Sequence, residues 1–355
     1  MPDPAARIFT DSLRVRPSET VLILADSAPA FTAVASRIAD AGRGLARVRL
    51  AVYPETGRNG VEPAEPAWEA AFGGAAVGEM KARGILAPVI AKRATPAQLA
   101  VARAIVLRNR RDIPSAVVMV NAWSATHTRL RMLLNAAGAR VVSMPGFSAR
   151  MFSTAMTADA GRMTARTRRG ASLLSRAETV QVTCPKGTDL NFSVRGRRGH
   201  ADTGTPGPGE FSNLPAGEVY VAPVEGTAEG TIAAGRGSRC AYRPPMLFTV
   251  RRGRVIRITG HPRSRFYSGL FRANPSFAVL AEFGVGTNDR AVPASDMLEA
   301  EKILGTVHFA FGDNSTFGGR NRAAFHQDFL VFRPTVVLTA GSRSTVLLDR
   351  GKPRF

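Results

Sequence analysis

Thr20-Val-Leu-Ile-Leu-Ala25 is followed by Asp26-Ser-Ala-Pro, an amphipathic run over residues 31–41 closed by Gly42, and then Arg47-Val-Arg-Leu-Ala-Val-Tyr53. The first run is short, apolar and bounded by turn residues, the signature of a strand covered on both faces. Asp, Ser and Pro before the amphipathic run, and Gly after it, are helix start and stop signals. Strand, helix, strand is the unit of a parallel sheet, because parallel neighbours can be joined only by a crossover. The pattern repeats outward from here, with a helix over 96–108, a strand over 115–120, a helix over 128–137 and a strand over 139–143. These elements predict an N-terminal doubly wound parallel α/β domain over residues 1–155. The turn Ala25-Asp-Ser-Ala-Pro lacks the G-x-G-x-x-G glycines that let backbone approach a dinucleotide pyrophosphate, which argues against a Rossmann cofactor.

Beyond a helical stretch over 155–176 the pattern changes to short alternating segments punctuated by Gly and Pro. Strands are expected over 179–183, 189–194, 217–223, 230–232, 246–250, 255–258 and 335–338, with a short helix over 266–273. Residues 156–355 therefore read as a β-rich α+β domain. Two domains suit a chain of 355 residues, since single cores stop growing at about 250–300 residues.

Composition removes several classes. With 45% apolar and 21% charged residues, the chain is not a disordered or coiled-coil sequence. No apolar run reaches the roughly 18 residues of a membrane helix, and Met-Pro-Asp-Pro-Ala-Ala-Arg-Ile-Phe lacks the layout of a signal peptide, so the expectation is a soluble, cytoplasmic protein without a membrane partner. Two cysteines, Cys184 and Cys240, can build neither a disulfide framework nor a cysteine-ligated zinc site, and any metal must be held by His and carboxylates. The net charge of +21 suggests nucleic acid, but the excess is spread over both halves, with 20 basic against 11 acidic residues in 1–155 and 28 against 16 in 156–355. Clusters at Arg162/Arg166/Arg168/Arg169, Arg195/Arg197/Arg198 and Arg251/Arg252/Arg254/Arg257 are read as solvated surface, two of the three as hairpin edges. Nucleic acid is not the expected partner.

The chemistry lies in the second half. His326-x-Asp328 places an imidazole and a carboxylate on one face of a strand, where both can meet one cation. His308 is the polar member of an apolar run, either a core histidine satisfied by a hydrogen bond or a ligand. Glu218 and Glu282 also lie in apolar strand-like runs, where an unpaired carboxylate is costly. Two carboxylates, two imidazoles and an aspartate are what a dinuclear hydrolytic metal site needs.

Gly187-Thr-Asp-Leu-Asn-Phe-Ser-Val-Arg-Gly-Arg, then Asn213-Leu-Pro-Ala-Gly-Glu-Val-Tyr-Val-Ala-Pro-Val-Glu-Gly-Thr-Ala-Glu-Gly-Thr, then Glu282, His308 and His326-Gln-Asp328, taken together, resemble the aminopeptidase T family of metallo-aminopeptidases. The resemblance covers roughly residues 180–330. It implies that Glu218, Glu282, His308, His326 and Asp328 ligate two divalent ions (zinc, cobalt or manganese), with Glu218 and Glu282 as the catalytic carboxylates. It also implies a homodimer that cleaves an amide at the amino end of a peptide or small aminoacyl compound. Two features depart from the peptidase pattern: Ser315 stands where the family has a catalytic tyrosine, with Phe317 nearby, and the chain is shorter than the typical peptidase. The same superfamily contains 2,5-dihydroxypyridine 5,6-dioxygenases, mononuclear iron enzymes of about this length that lack the tyrosine. These keep the His-x-Asp pair but have histidine at the position of Glu282 and none at that of His308. The five-ligand set favours the peptidase type. A ring-cleaving iron dioxygenase is the alternative, and a basic binding module that has kept the fold is a third reading.

Other positions read more simply. Glu225 and Glu229 are either carboxylates orienting a ligand or loop residues; Asp202 lies in an Asp-x-Gly to which the family resemblance extends, or is a turn residue supporting the following loop; Asp313-Asn314 is a turn; and His127, His200 and His261 are surface histidines. Cys184 and Cys240 have no neighbouring His to support a thiolate nucleophile.

Overall fold

A computed structural model of the chain describes residues 3–235, 244–293 and 296–355. The chain divides into two compact units, one comprising Met1–Met156 and Gly204–Pro215, the other Thr157–Thr203 and Ala216–Phe355. The sequence reading draws a single boundary at 155. The chain instead returns to the first unit for Gly204–Pro215, because a short strand within that segment extends the parallel sheet.

In the first unit β1 (Thr20–Asp26), β2 (Arg47–Tyr53), β3 (Ala116–Asn121), β4 (Arg140–Pro145) and β8 (Phe211–Asn213) form a parallel sheet in the order β2-β1-β3-β4-β8. β3 is buried throughout, as its unbroken apolar run demands. The helices are α1 (Pro29–Gly42), α2 (Glu65–Ala82), α3 (Leu86–Ile90), α4 (Pro96–Arg108) and α5 (Arg129–Ala136). α4 starts where Pro96 suggests, in a capping box between Thr95 and Gln98. The sequence reading leaves out α2, which is interrupted at Gly73 (φ 78°, ψ 157°) and therefore carries no continuous helical period.

Two carboxylates are buried in this unit, each served by backbone donors. Asp26, at the end of β1, accepts from the N–H groups of Ala28 (3.1 Å) and Ala122 (2.5 Å). Glu62 accepts from Arg129 N–H (2.5 Å) and Leu130 N–H (3.2 Å) at the start of α5, where the unsatisfied donors of the helix favour an anion.

The second unit contains α6 (Ala160–Arg176), two antiparallel sheets and the helices α7 (Ser264–Ala273) and α8 (Met297–Ala300). The larger sheet runs β12 (Arg254–Thr259), β11 (Met246–Arg251), β10 (Glu229–Ala234), β6 (Asp189–Ser193), β5 (Thr179–Thr183), β16 (Thr335–Ala340), β17 (Arg343–Asp349), β18 (Lys352–Pro353). The smaller runs β15 (His326–Val331), β14 (Val307–Gly312), β13 (Leu280–Gly286), β9 (Glu218–Val221), β7 (His200–Asp202). Their inner faces meet in one apolar core, with Phe192 against Phe283 (5.3 Å between ring centroids) and Phe248 against Phe329 (4.7 Å). Burying a phenylalanine contributes roughly 1.5–3 kcal/mol, so these rings anchor the smaller sheet by one face and leave the other free for polar groups. The arginines at 251, 252 and 254 lie at the tip of the β11–β12 hairpin, where Arg252 and Gly253 both take positive φ. No described helix is long and apolar enough to cross a membrane.

Candidate metal centre

Side chains alternate between the faces of a strand, and the pairing register carries that alternation across the smaller sheet. Phe283, Val285, Val307, Phe309, Phe329, Val219 and Val221 point into the core. Their neighbours Glu282, His308, Asp328 and Glu218 then share the opposite face, together with His326, Tyr220, His200 and Asp202. A β-bulge between Leu280 and Glu282 sets the phase of β13. Leu280 pairs with Phe311 and joins the core, whereas Glu282 pairs with Ala310 on the polar face.

Two glycines of β13 make the packing possible. A Cβ at Gly284 would lie 2.0 Å from His308 Nε2, so the imidazole lies across bare backbone. A Cβ at Gly286 would lie 2.1 Å from the Ile303 carbonyl oxygen, so the turn after α8 presses directly on the strand. That turn carries Glu301 and Lys302 to the edge of the polar face, because Gly286 pairs with Glu218.

All five residues singled out in the sequence converge. His308 Nε2 is 3.4 Å from both Glu218 Oε2 and Glu282 Oε1, and His326 Nε2 is 3.2 Å from Glu282 Oε2 and 3.7 Å from Asp328 Oδ1. Donor atoms thus gather into two triads, Glu218–Glu282–His308 and Glu282–His326–Asp328, with Glu282 common to both. Lys302 adds an ammonium 2.6 Å from Glu218 Oε1, 2.8 Å from Glu301 Oε1 and 4.0 Å from Asp202 Oδ2.

Burial and charge oppose each other here. Burial raises the carboxyl of Glu282, but the hydrogen bonds and charges of His308 and His326 outweigh it and hold that carboxyl well below the usual range. Burial pushes the Glu218 carboxyl up, against the pull of Lys302. For the imidazoles burial acts downward, yet the facing carboxylates prevail and raise His308 to about 9 and His326 to about 10. Without metal, Glu282 is an anion clamped between two imidazolium rings.

The donor set suits a divalent cation. It consists of carboxylate oxygens and imidazole nitrogens, and most of the separations are what two donors bonded to one ion at about 2.1 Å would show, roughly 3.0–3.5 Å. His326 Nδ1 faces the Asp313 carbonyl at 2.7 Å, the outer hydrogen bond that directs Nε2 toward a metal. His308 Nδ1 is buried with no hydrogen-bond partner, so a core histidine satisfied through that nitrogen is not what the structure contains.

Other positions resolve individually. Asp202, to which the family resemblance extends, is buried on β7 opposite Glu218 rather than in a turn. His200, read as a surface histidine, is half-buried and stacks on Tyr220 at 5.1 Å. Glu225 binds Arg197, Asn314 Nδ2 and Arg320 N–H, fastening the loop after β14, while Glu229 pairs with Arg251 and Arg252 at the hairpin tip. Ser315 donates to Asp313 Oδ1 (3.0 Å) at the surface, and Phe317 sets its ring edge-on to Tyr220 and His326. Cys184 packs partly buried against the core; Cys240 lies outside the described residues. Lys302, Glu301 and Tyr220 were not foreseen. Tyr220, two residues from Glu218 on the same strand, could have been found by alternation, whereas the Glu301-Lys302 turn carries no period that points to the site.

A β-sandwich face bearing two overlapping carboxylate–imidazole triads defines a metal-binding class of enzyme. Within it, the family profile NicX, 2,5-dihydroxypyridine 5,6-dioxygenase, matches residues 67–342, and the chain belongs to that family. Two solved structures share the fold. One is 2,5-dihydroxypyridine dioxygenase from Pseudomonas putida KT2440, with a TM-score of 0.70 at 17% identity over 98% of this chain and 96% of that one. The other is wild-type AmpT from Thermus thermophilus, with a TM-score of 0.63 at 16% identity over 99% and 98%. No curated protein matches the chain. The superfamily expected from the sequence stands, and the family profile falls on its dioxygenase branch.

Proposed function

We propose that the chain is a metal-dependent hydrolase that cleaves an amide at the amino end of a peptide or small aminoacyl compound. The observation that carries this reading is the position of Glu282, whose two carboxylate oxygens face two different imidazoles and which belongs to both triads. A carboxylate so placed suits a pair of ions, which when bound would supply a hydroxide near neutral pH and polarise the scissile carbonyl. The protein's own part is orientation. The Asp313 carbonyl takes the Nδ1–H of His326 and leaves Nε2 directed at the site. Lys302 holds one oxygen of Glu218 and leaves the other toward His308. Tyr220, Phe317 and His200 form an aromatic border against which an apolar substrate side chain can lie.

The second reading is a ring-cleaving, iron-dependent dioxygenase. It is favoured by the family match, by the absence of a tyrosine at Ser315, and by the same aromatic border, on which a flat heteroaromatic ring can stack. One experiment separates the two. The purified protein is loaded with zinc, cobalt, manganese or ferrous ion under nitrogen, then assayed for aminoacyl-amide hydrolysis and, with oxygen admitted, for consumption of 2,5-dihydroxypyridine. Hydrolysis with two ions per chain and no oxygen uptake supports the first reading. Oxygen uptake with iron alone replaces it by the second.

A further inference from the structure

Lys302 is fully buried, yet it ends in an ammonium. It is placed there by the turn after α8, whose backbone bonds to the end of β13 through Asn288 N–H to the Lys302 carbonyl (2.8 Å) and Gly305 N–H to the Gly286 carbonyl (3.1 Å). Its ion-pair partners are three carboxylates, of which Glu301 also faces Asp328 and His308. Glu218 is at 2.6 Å, Glu301 at 2.8 Å and Asp202 at 4.0 Å, and Glu282, His326 and Asp328 are not among them. The carboxylate it touches is also the one whose other oxygen faces His308, so any cation held by Glu218 and His308 must share that carboxylate with a fixed positive charge. Like charges that close in a water-poor site repel strongly, whereas among the described residues no lysine or arginine forms an ion pair with Glu282 or Asp328.

We propose that Lys302 is a built-in cation that makes the two halves of the site unequal, so that the first divalent ion enters Glu282–His326–Asp328 and the second binds weakly at Glu218–His308. Lys302 is thus a positioning residue that acts through Glu218. The inference rests on the metal-site reading above and adds the order of filling. It accounts for one chain offering ligands for two ions while also suiting a one-ion reaction.

The test is a calorimetric titration of the metal-free full chain with cobalt(II), with the fold followed by circular dichroism. The wild-type protein should show two steps, the second at least 100-fold weaker. Lys302→Met, close in shape and uncharged, should strengthen the weak step at least tenfold and leave the tight step within threefold. Glu218→Gln should erase the weak step and spare the tight one, and it carries the test if the Lys302 variant does not fold. Two equal steps in the wild type, an unchanged gap in Lys302→Met, or loss of the tight step in Glu218→Gln would overturn the role of Lys302 while leaving a metal site in place. Absence of any cobalt binding would overturn the metal-site reading itself, and this inference with it.

Discussion

Buried carboxylates occur in both units, and they differ in whether backbone donors or imidazoles dominate their surroundings. In the parallel sheet unit, Asp26 and Glu62 each accept from two backbone N–H groups, and Lys92 stands 3.8 Å from Glu62, whose carboxyl burial still pushes up to about 7. On the polar face of the smaller antiparallel sheet, Glu218 and Glu282 face imidazoles, and Glu218 also faces an ammonium. A strand in the middle of a sheet spends its N–H groups on its neighbours, and none remain for side chains on the face. The same residue type is therefore a structural fastening where backbone donors are spare and a cation seat where they are not.

The comparison can be broken most severely at its centre. Glu282→Ala or His326→Ala should lower turnover on the order of 10³-fold or more and abolish tight metal binding, with the circular dichroism spectrum unchanged. Full activity in either variant would remove the site. Glu62→Ala should do the reverse. It strands the donors of Arg129 and Leu130, costing roughly 1–3 kcal/mol in urea unfolding, and leaves metal affinity untouched.

Protons sharpen the contrast further. With His308 raised to about 9, His326 to about 10 and the Glu218 carboxyl pushed up by burial, binding a full complement of ions at pH 7 should release at least two protons per chain. Calorimetry in buffers of different ionisation enthalpy measures this, and a release near zero would mean the rings are already neutral. The raised values also fix a direction for stability. What the charged rings contribute is present below their unfolded value of about 6.5 and is lost as the pH rises through about 9 to 10, so the metal-free protein should weaken across that window while the metal-loaded protein does not. The smallest effect is expected at the aromatic border, where Phe317→Ala should raise KM about tenfold for substrates with a bulky apolar or aromatic part and change kcat little. An equal loss for small polar substrates would argue that the ring only shapes the loop.

Period two suggested parts of the site, and the resemblance to aminopeptidase T supplied the full ligand set. His326-x-Asp328 and the lone polar residues in apolar runs at Glu218, Glu282 and His308 are what a sheet with one dry and one charged face looks like in sequence, and the same alternation located most strands of the second unit. Long-range placement was not legible. Lys302 reaches Glu218 through the approach of a turn to Gly286, which no local pattern encodes. α2 was hidden by Gly73, and the return of Gly204–Pro215 to the parallel sheet rests on a strand too short to alternate visibly. His200 looked solvent-facing beside Arg197 and Arg198, although its partner across the strand pair is Tyr220.

The bulge before Glu282 has a consequence for how such a site can be lost or gained. Leu280 and Glu282 are two residues apart, and only the extra residue Ala281 lets one face the core and the other the ligands. Were residues 280–282 paired one-to-one with β14, Leu280 and Glu282 would share a face, and β13 could bury Leu280 or present Glu282, but not both. A one-residue slip of β13 against its neighbours, with no ligand altered, would then turn this surface from a cation seat into an ordinary sheet face.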